Sequence, residues 1–207
     1  MSEAHPTVVV IDDDPDVRDA LQGLLETINL RAVLFATASE FLTSKRPRGP
    51  CCIVVDVRLP DLSGFDFQQE LARKNIPLPI IFITGHGDIP MSVRAIKAGA
   101  VEFLTKPLRD QDLLDAIQGA LRRDRLRLDE ERTLTDLRTR YEMLTARERE
   151  VMALLVSGRV NKQIAAEIGV SEVTVRLHRG QITQKMHAKS LVDLIRAADK
   201  LRQLGIG

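Results

Sequence analysis

Five short apolar runs, separated by stretches with helical spacing, constrain this chain more than any other feature. The runs are TVVVI (7–11), RAVLF (31–35), CCIVV (51–55), PIIFI (79–83) and VEFL (101–104). Continuous apolar runs of this length, without polar alternation, read as strands covered on both faces. Between them, residues such as Val17, Leu21, Leu24, Leu25 and Ile28 recur on one side of a 3.6-residue period. Such alternation specifies an α/β doubly wound domain of five parallel strands with helices on both faces. In open sheets of this type the functional crevice lies beyond the carboxyl ends of the strands.

The residues that end these strands carry the chemistry. Asp12, Asp13 and Asp14 follow the first run, Asp56 the third, Thr84 the fourth and Lys106 the fifth. Carboxylates brought together repel one another unless an opposite charge offsets them. A hard divalent cation does so, since it takes oxygen ligands and keeps some waters, and Mg²⁺ is the expected ion. Lys106 can neutralise a phosphoryl oxygen and Thr84 can donate a hydroxyl. The set therefore has the parts of a phosphoryl-transfer site with Asp56 as nucleophile. Asp14 and Asp16, at the start of the first helix, also suit simple capping.

The motifs IDDD, VVDVRLPDLSG, FITGHGD and LTKP, at these separations, resemble the receiver domain of a two-component response regulator over roughly residues 6 to 122. The resemblance implies a flavodoxin-like sheet. It implies that Asp12 and Asp13 hold Mg²⁺, that Asp56 accepts the phosphoryl group from a sensor histidine kinase, and that the main-chain carbonyl of Arg58 completes the metal site. It implies further that Thr84 and Lys106 bind the phosphoryl oxygens and that the Lys106–Pro107 bond is cis. Phe103 falls where the family keeps an aromatic rotamer switch; its other reading is a plain core residue on an edge strand. Receivers of this class pair through the fourth helix and fifth strand, here Ile89 to Lys97 and Glu102 to Thr105, which implies a homodimer on phosphorylation.

The same acids admit an alternative. Asp12 and Asp14 are spaced as in haloacid-dehalogenase-like phosphatases, which also use a Thr or Ser and a Lys. Against it, the chain leaves no room for a cap domain, Asp56 has no role, and Asp110 and Asp112 suit the first turn of a helix, where acids complement the dipole.

Charge divides the chain. Residues 1–120 hold 12 basic and 17 acidic side chains, whereas 142–207 hold 11 and 7. Between them RRDRLRLDEERTLTDLRTR mixes both signs, with leucines at 121, 126, 128, 134 and 137 in and beside it. It reads as a solvated helix joining two domains, with a short coiled-coil pairing as the sharper alternative.

The second half reads as helices throughout. LTAREREVMALLVSG has helical spacing and ends at Gly158, and NKQIAAEIG forms a short helix closed by Gly169. Ser171 then caps a helix over 172–186, so the segment has helix-turn-helix geometry. Val175, His178 or Arg179, Ile182 and Met186 should face inward; Glu172, Val173, Arg176, Leu177, Gly180 and Thr183 should face a major groove. The whole of 142–207 resembles the DNA-binding domain of the LuxR/NarL class through LTARERE, NKQIA, TVRLHR and KSLVDL, and with the receiver it resembles a FixJ-type regulator. That resemblance implies a DNA-facing set in which Arg176, Leu177 and Gly180 face bases, Lys162, Arg179 and Lys185 touch phosphates, and Thr174 joins them. It also implies promoter DNA and RNA polymerase as partners, and a protein that is not an enzyme beyond its own phosphoryl chemistry. Gly180 departs from the long side chain common at its position.

The expected domains are thus a receiver at 1–122, a helical linker at 123–141 and a helix-turn-helix domain at 142–207. Adjacent Cys51 and Cys52 lead into an apolar strand and read as packed small hydrophobes. No stretch has the ~18 apolar residues of a membrane helix, and MSEAHP lacks the features of a signal peptide, so a cytoplasmic location without membrane partners is expected.

Overall fold

The computed structural model describes residues 5–206; residues 1–4, which include most of the MSEAHP stretch, and residue 207 lie outside the described residues. The chain forms two compact units, Met1–Leu128 and Asp129–Gly207.

In the first unit the chain runs β1 (Thr7–Ile11), α1 (Pro15–Thr27), β2 (Arg31–Phe35), α2 (Ala38–Thr43), β3 (Cys51–Asp56), α3 (Gly64–Arg73), β4 (Ile80–Thr84), α4 (Ile89–Lys97) and β5 (Glu102–Thr105); α5 (Asp110–Glu142) begins there and ends in the second unit. Its five strands pair in parallel in the order β2-β1-β3-β4-β5. Every residue of β1, β3 and β4 is buried, as the unbroken apolar runs require, while β2 and β5 form the half-buried edges. Alternate residues feed two core layers. Val9, Ile11, Ile53, Val55 and Phe82 pack with Phe41, Phe67 and Leu71, whereas Val8, Val10, Val54, Ile81 and Ile83 pack with Leu21, Leu25, Leu113 and Ile117. Each such side chain contributes roughly 1.5–3 kcal/mol on burial.

Strand register sets the site. Ile11 pairs with Val55, Asp56 with Ile83, and Thr84 with Thr105. Asp12, Asp56, Thr84 and Lys106 therefore emerge side by side from four adjacent strands. Gly64, at the start of α3, lets that helix begin against the end of β3, since a Cβ there would lie 2.7 Å from the Asp56 carbonyl oxygen.

The second unit holds α6 (Ala146–Val156), α7 (Asn161–Ile168), α8 (Glu172–Lys185) and α9 (Leu191–Gln203) around Val151, Leu155, Ile164, Val175, Ile182, Leu194 and Leu201. Thr145 caps α6 in a capping box with Glu148, and Gly169 ends α7 at φ 69°, a left-handed conformation that glycine adopts without steric cost. Ser171 then accepts the Thr174 N–H and starts α8.

The segment 123–141 lies within α5, a single helix of 33 residues. Its leucines serve different cores: Leu121 is buried in the first unit and Leu137 in the second, while Leu126 is 71% exposed. Cys51 and Cys52 are free and buried, and burial pushes the Cys51 thiol up to about 12. No helix among the described residues is long and apolar enough to cross a membrane.

Candidate functional site

At the carboxyl ends of the strands, Lys106 Nζ donates to Asp12 Oδ2 at 2.7 Å and to Asp56 Oδ2 at 2.8 Å. The other oxygen of each carboxylate accepts a main-chain N–H: Asp14 N–H donates to Asp12 Oδ1 at 3.0 Å and Arg58 N–H to Asp56 Oδ1 at 2.8 Å. Asp12 and Asp56 are both buried, whereas Asp13 and Arg58 are exposed beside them. Thr84 is fully buried; its carbonyl accepts the Lys106 N–H at 2.7 Å, and its hydroxyl oxygen accepts the His86 N–H at 3.3 Å.

The electrostatics are unbalanced, because two carboxylates share one ammonium. Burial, the largest influence on Asp12, pushes its carboxyl up, and the bonds from Lys106 and Asp14 offset this only in part; Asp56 adds to the rise. Burial pulls Lys106 down, but its bonds to Asp12 and Asp56 outweigh burial and hold it above its ordinary value. The donors are all hard oxygens carrying more negative charge than one lysine balances, which suits a hard divalent cation. Among the described residues no three His, Cys, Asp or Glu side chains stand ready-formed around a metal position, and Lys106 engages both Asp12 and Asp56.

Phe103 is half-buried on β5 with its ring 6.4 Å from that of Phe82. Gly87 lies close over it: a Cβ at Gly87 would sit 2.9 Å from the Phe103 ring and 3.1 Å from the Thr84 methyl. Sequence reading passed over Gly87, although GHGD directly after a buried strand signals a loop in which the backbone approaches its neighbours closely. It also passed over Arg18, whose Nη1 donates to the Asp12 carbonyl at 2.6 Å. Asp14, the second acid of the phosphatase alternative, caps α1 by accepting the Asp16 N–H at 2.9 Å. The Lys106–Pro107 bond is cis.

In the second unit α7, the turn at Gly169 and α8 form a helix-turn-helix. Val175, Ile182 and Met186 face inward, and Glu172, Val173, Arg176, Leu177 and Gly180 are exposed, as helical spacing predicts, whereas Thr183, also expected outward, is half-buried. Lys162 is exposed on α7, and Thr174 is half-buried with its hydroxyl 2.9 Å from that of Ser171. Two of the expected phosphate-facing cations are engaged within the domain. Arg179 Nη1 donates to Asn161 Oδ1 at 2.6 Å, and Lys185 Nζ donates to both oxygens of Glu148 at 2.9 and 2.7 Å. The signal for Glu148 was present in Thr145-x-x-Glu148, a capping-box spacing that places this glutamate back against the helix start.

A doubly wound sheet with acids, a threonine and a lysine at its carboxyl ends, followed by a helix-turn-helix, defines a response regulator with a receiver and a DNA-binding domain. Residues 8–118 match the response regulator receiver domain, and residues 142–198 match the luxR family of bacterial regulatory proteins. Nodulation protein W of Bradyrhizobium diazoefficiens is 53% identical over 194 residues, covering 94% of this chain and 86% of that protein. The response regulator protein TodT of Pseudomonas putida is 42% identical over 202 residues, covering 98% and 89%. Among solved structures, the response regulator StyR superposes with a TM-score of 0.87 at 45% identity, covering 95% of this chain and all of that one. Full-length FixJ from B. japonicum gives 0.56 at 36% identity, covering 98% and 99%. The chain belongs to the FixJ-type response regulators, two-component transcription regulators with a LuxR-type helix-turn-helix.

Proposed function

We propose that a sensor histidine kinase phosphorylates this protein on Asp56, and that the phosphorylated form pairs and binds promoter DNA, where it engages RNA polymerase. The observation that carries this reading is the convergence of Asp12, Asp56 and Lys106 at the ends of adjacent strands, with Thr84 beside them. Asp56 attacks the phosphorus of a phosphohistidine; the P–N bond breaks and imidazole leaves. Lys106, already bonded to Asp56, turns to a phosphoryl oxygen, and the Thr84 hydroxyl donates to another. Asp12, Asp13, Asp56 and the Arg58 carbonyl would hold Mg²⁺, which when bound neutralises charge on the phosphoryl group.

The Thr84 movement is passed to Phe103, and the α4–β5 face then pairs with its copy. On α4 that face carries exposed Ile89, Val93 and Ile96 at 79, 44 and 47%. In the second unit Arg176 pairs bidentately with a guanine, a contact worth ~1–3 kcal/mol of base discrimination, while Leu177 packs against bases and Gly180 admits close approach. Lys162, Thr174, Arg179 and Lys185 serve the phosphate backbone, the last two after exchanging their internal partners. In this reading 1–122 is the receiver, 123–141 the link and 142–207 the DNA-binding domain of a cytoplasmic protein.

The test is incubation of the full chain with Mg²⁺ and acetyl phosphate, with mass spectrometry to locate the adduct. One phosphoryl group on Asp56, lost in Asp56→Asn, and a phosphorylation-dependent footprint on promoter DNA are expected. Full incorporation in Asp56→Asn, or turnover of phosphate esters through Asp12, would overturn the reading, the latter in favour of a phosphatase.

A further inference from the structure

Along the edge strand β2, from Arg31 at its start to Phe35 at its end, lies a cleft of about 760 Å³. Arg31 at the start of β2, Lys45, Arg46 and Arg48 in the loop between α2 and β3, and His5 line it. None of these four cations has a side-chain hydrogen bond or ion pair among the described residues. One carboxylate faces them, Glu26, and it accepts from Gln22 at 2.8 Å. This concentration of positive charge sits in a domain whose residues 1–120 carry five more acids than bases. All four side chains are solvent-exposed, so the positive potential they set up along the cleft is open to an anion.

The floor is apolar, made by Leu30, Val33, Phe35 and Pro47. A concave site of this size falls in the ~300–1,000 Å³ range of small-molecule sites, and arginine forks pair bidentately with phosphate. We propose that this cleft binds a nucleoside polyphosphate, with the phosphates on Arg31, Lys45, Arg46 and Arg48 and the base against Val33 and Phe35. The inference does not depend on phosphorylation of Asp56; it adds a small-molecule input along the β2 edge of the same sheet.

The test is an NMR titration of the ¹⁵N-labelled full chain with GTP, ATP and pyrophosphate. EDTA is present, so that no metal recruits phosphate to Asp12 and Asp56. Saturable shifts at residues 29–35 and 45–49 are expected, with a nucleotide bound about tenfold more tightly than pyrophosphate because only it covers the apolar floor. Arg46→Glu combined with Arg48→Glu, both on an exposed loop, should weaken binding by at least about tenfold while the rest of the spectrum stays unchanged. No saturable shift up to ~10 mM, shifts confined to α8, or binding indifferent to the double substitution would overturn the site. Equal affinity for pyrophosphate overturns the nucleotide assignment, as does a response of the cleft to duplex DNA but to neither nucleotide.

Discussion

In the first unit one lysine serves two carboxylates; in the second one lysine serves one. Lys106 divides its ammonium between Asp12 and Asp56 at 2.7 and 2.8 Å, whereas Lys185 gives both its contacts, 2.9 and 2.7 Å, to Glu148, which also accepts the Thr145 N–H at 2.7 Å. The carboxyls respond in opposite directions. Burial raises both; at Asp12 it prevails, while at Glu148 the bonds from Lys185 and Thr145 outweigh it and hold the carboxyl below its ordinary range. A buried acid that must share its one cation with a second acid marks a site kept for chemistry, and one with a cation to itself marks a scaffold. The difference separates two lysines that sequence reading placed equally in functional roles.

The largest expected effect is on the scaffold pair. Lys185→Met leaves Glu148, with a side chain 3% exposed, without its cation. Breaking a fully buried pair costs 3–5 kcal/mol, and because the Lys185 side chain keeps 35% exposure the expected loss is about 2 kcal/mol. Urea unfolding followed by fluorescence reads this directly, because the one tyrosine of the chain, Tyr141, packs in the second core and no tryptophan competes. An unchanged midpoint would place Lys185 outside the scaffold and free it for phosphate contact alone.

In the first unit the sign reverses. Asp12→Asn keeps an oxygen for the Asp14 N–H but removes one of two charges competing for Lys106, and it should stabilise the receiver by about 1 kcal/mol, as relief of a strained functional site commonly does. Slower amide hydrogen exchange in β1 and β3 of the full chain is the expected observation. Faster exchange would mean that the Asp12–Lys106 pair is structural, and the contrast between the units would collapse.

Gly180→Ala sharpens the comparison from the DNA side. Nothing lies within 4 Å of a Cβ at Gly180, so the methyl meets open space and removes a mid-helix glycine. A gain of about 0.8 kcal/mol is expected in the Tyr141-reported transition. Stabilisation with weakened operator binding would show that the glycine is kept for access to DNA.

The smallest effects are in pH. Glu148 is lowered from 4.5, so its contribution is present above pH 4.5 and is lost as pH falls through its lower folded value; Glu148→Gln should flatten this acid limb. Asp12 is raised from 3.8, so its contribution is present below pH 3.8 and is lost as pH rises through its higher folded value. Parallel acid limbs in tyrosine fluorescence and receiver hydrogen exchange would contradict the opposite shifts.

The strands were legible because they are buried on both faces, and TVVVI, CCIVV and PIIFI leave no other periodicity to follow; β1, β3 and β4 coincide with them to within one residue. Helix ends were legible where a local device sets them, as at Ser171 and Gly169. The convergence of Asp12, Asp56, Thr84 and Lys106 was legible as well, because parallel register delivers strand-end residues to one crevice without further information. Partner choice was not. Asp124, inside the charged stretch read as a solvated helix, is buried and accepts the Cys51 N–H at 2.8 Å and Arg127 Nε at 2.8 Å. No local pattern links residue 51 to residue 124, or Glu148 to Lys185, since only folding brings those segments within hydrogen-bond reach. The sequence by itself determined which elements form and which chemical groups stand at their ends. Tertiary structure alone decided which charges are neutralised and which are left in excess, because desolvation and hydrogen bonding depend on neighbours distant along the chain.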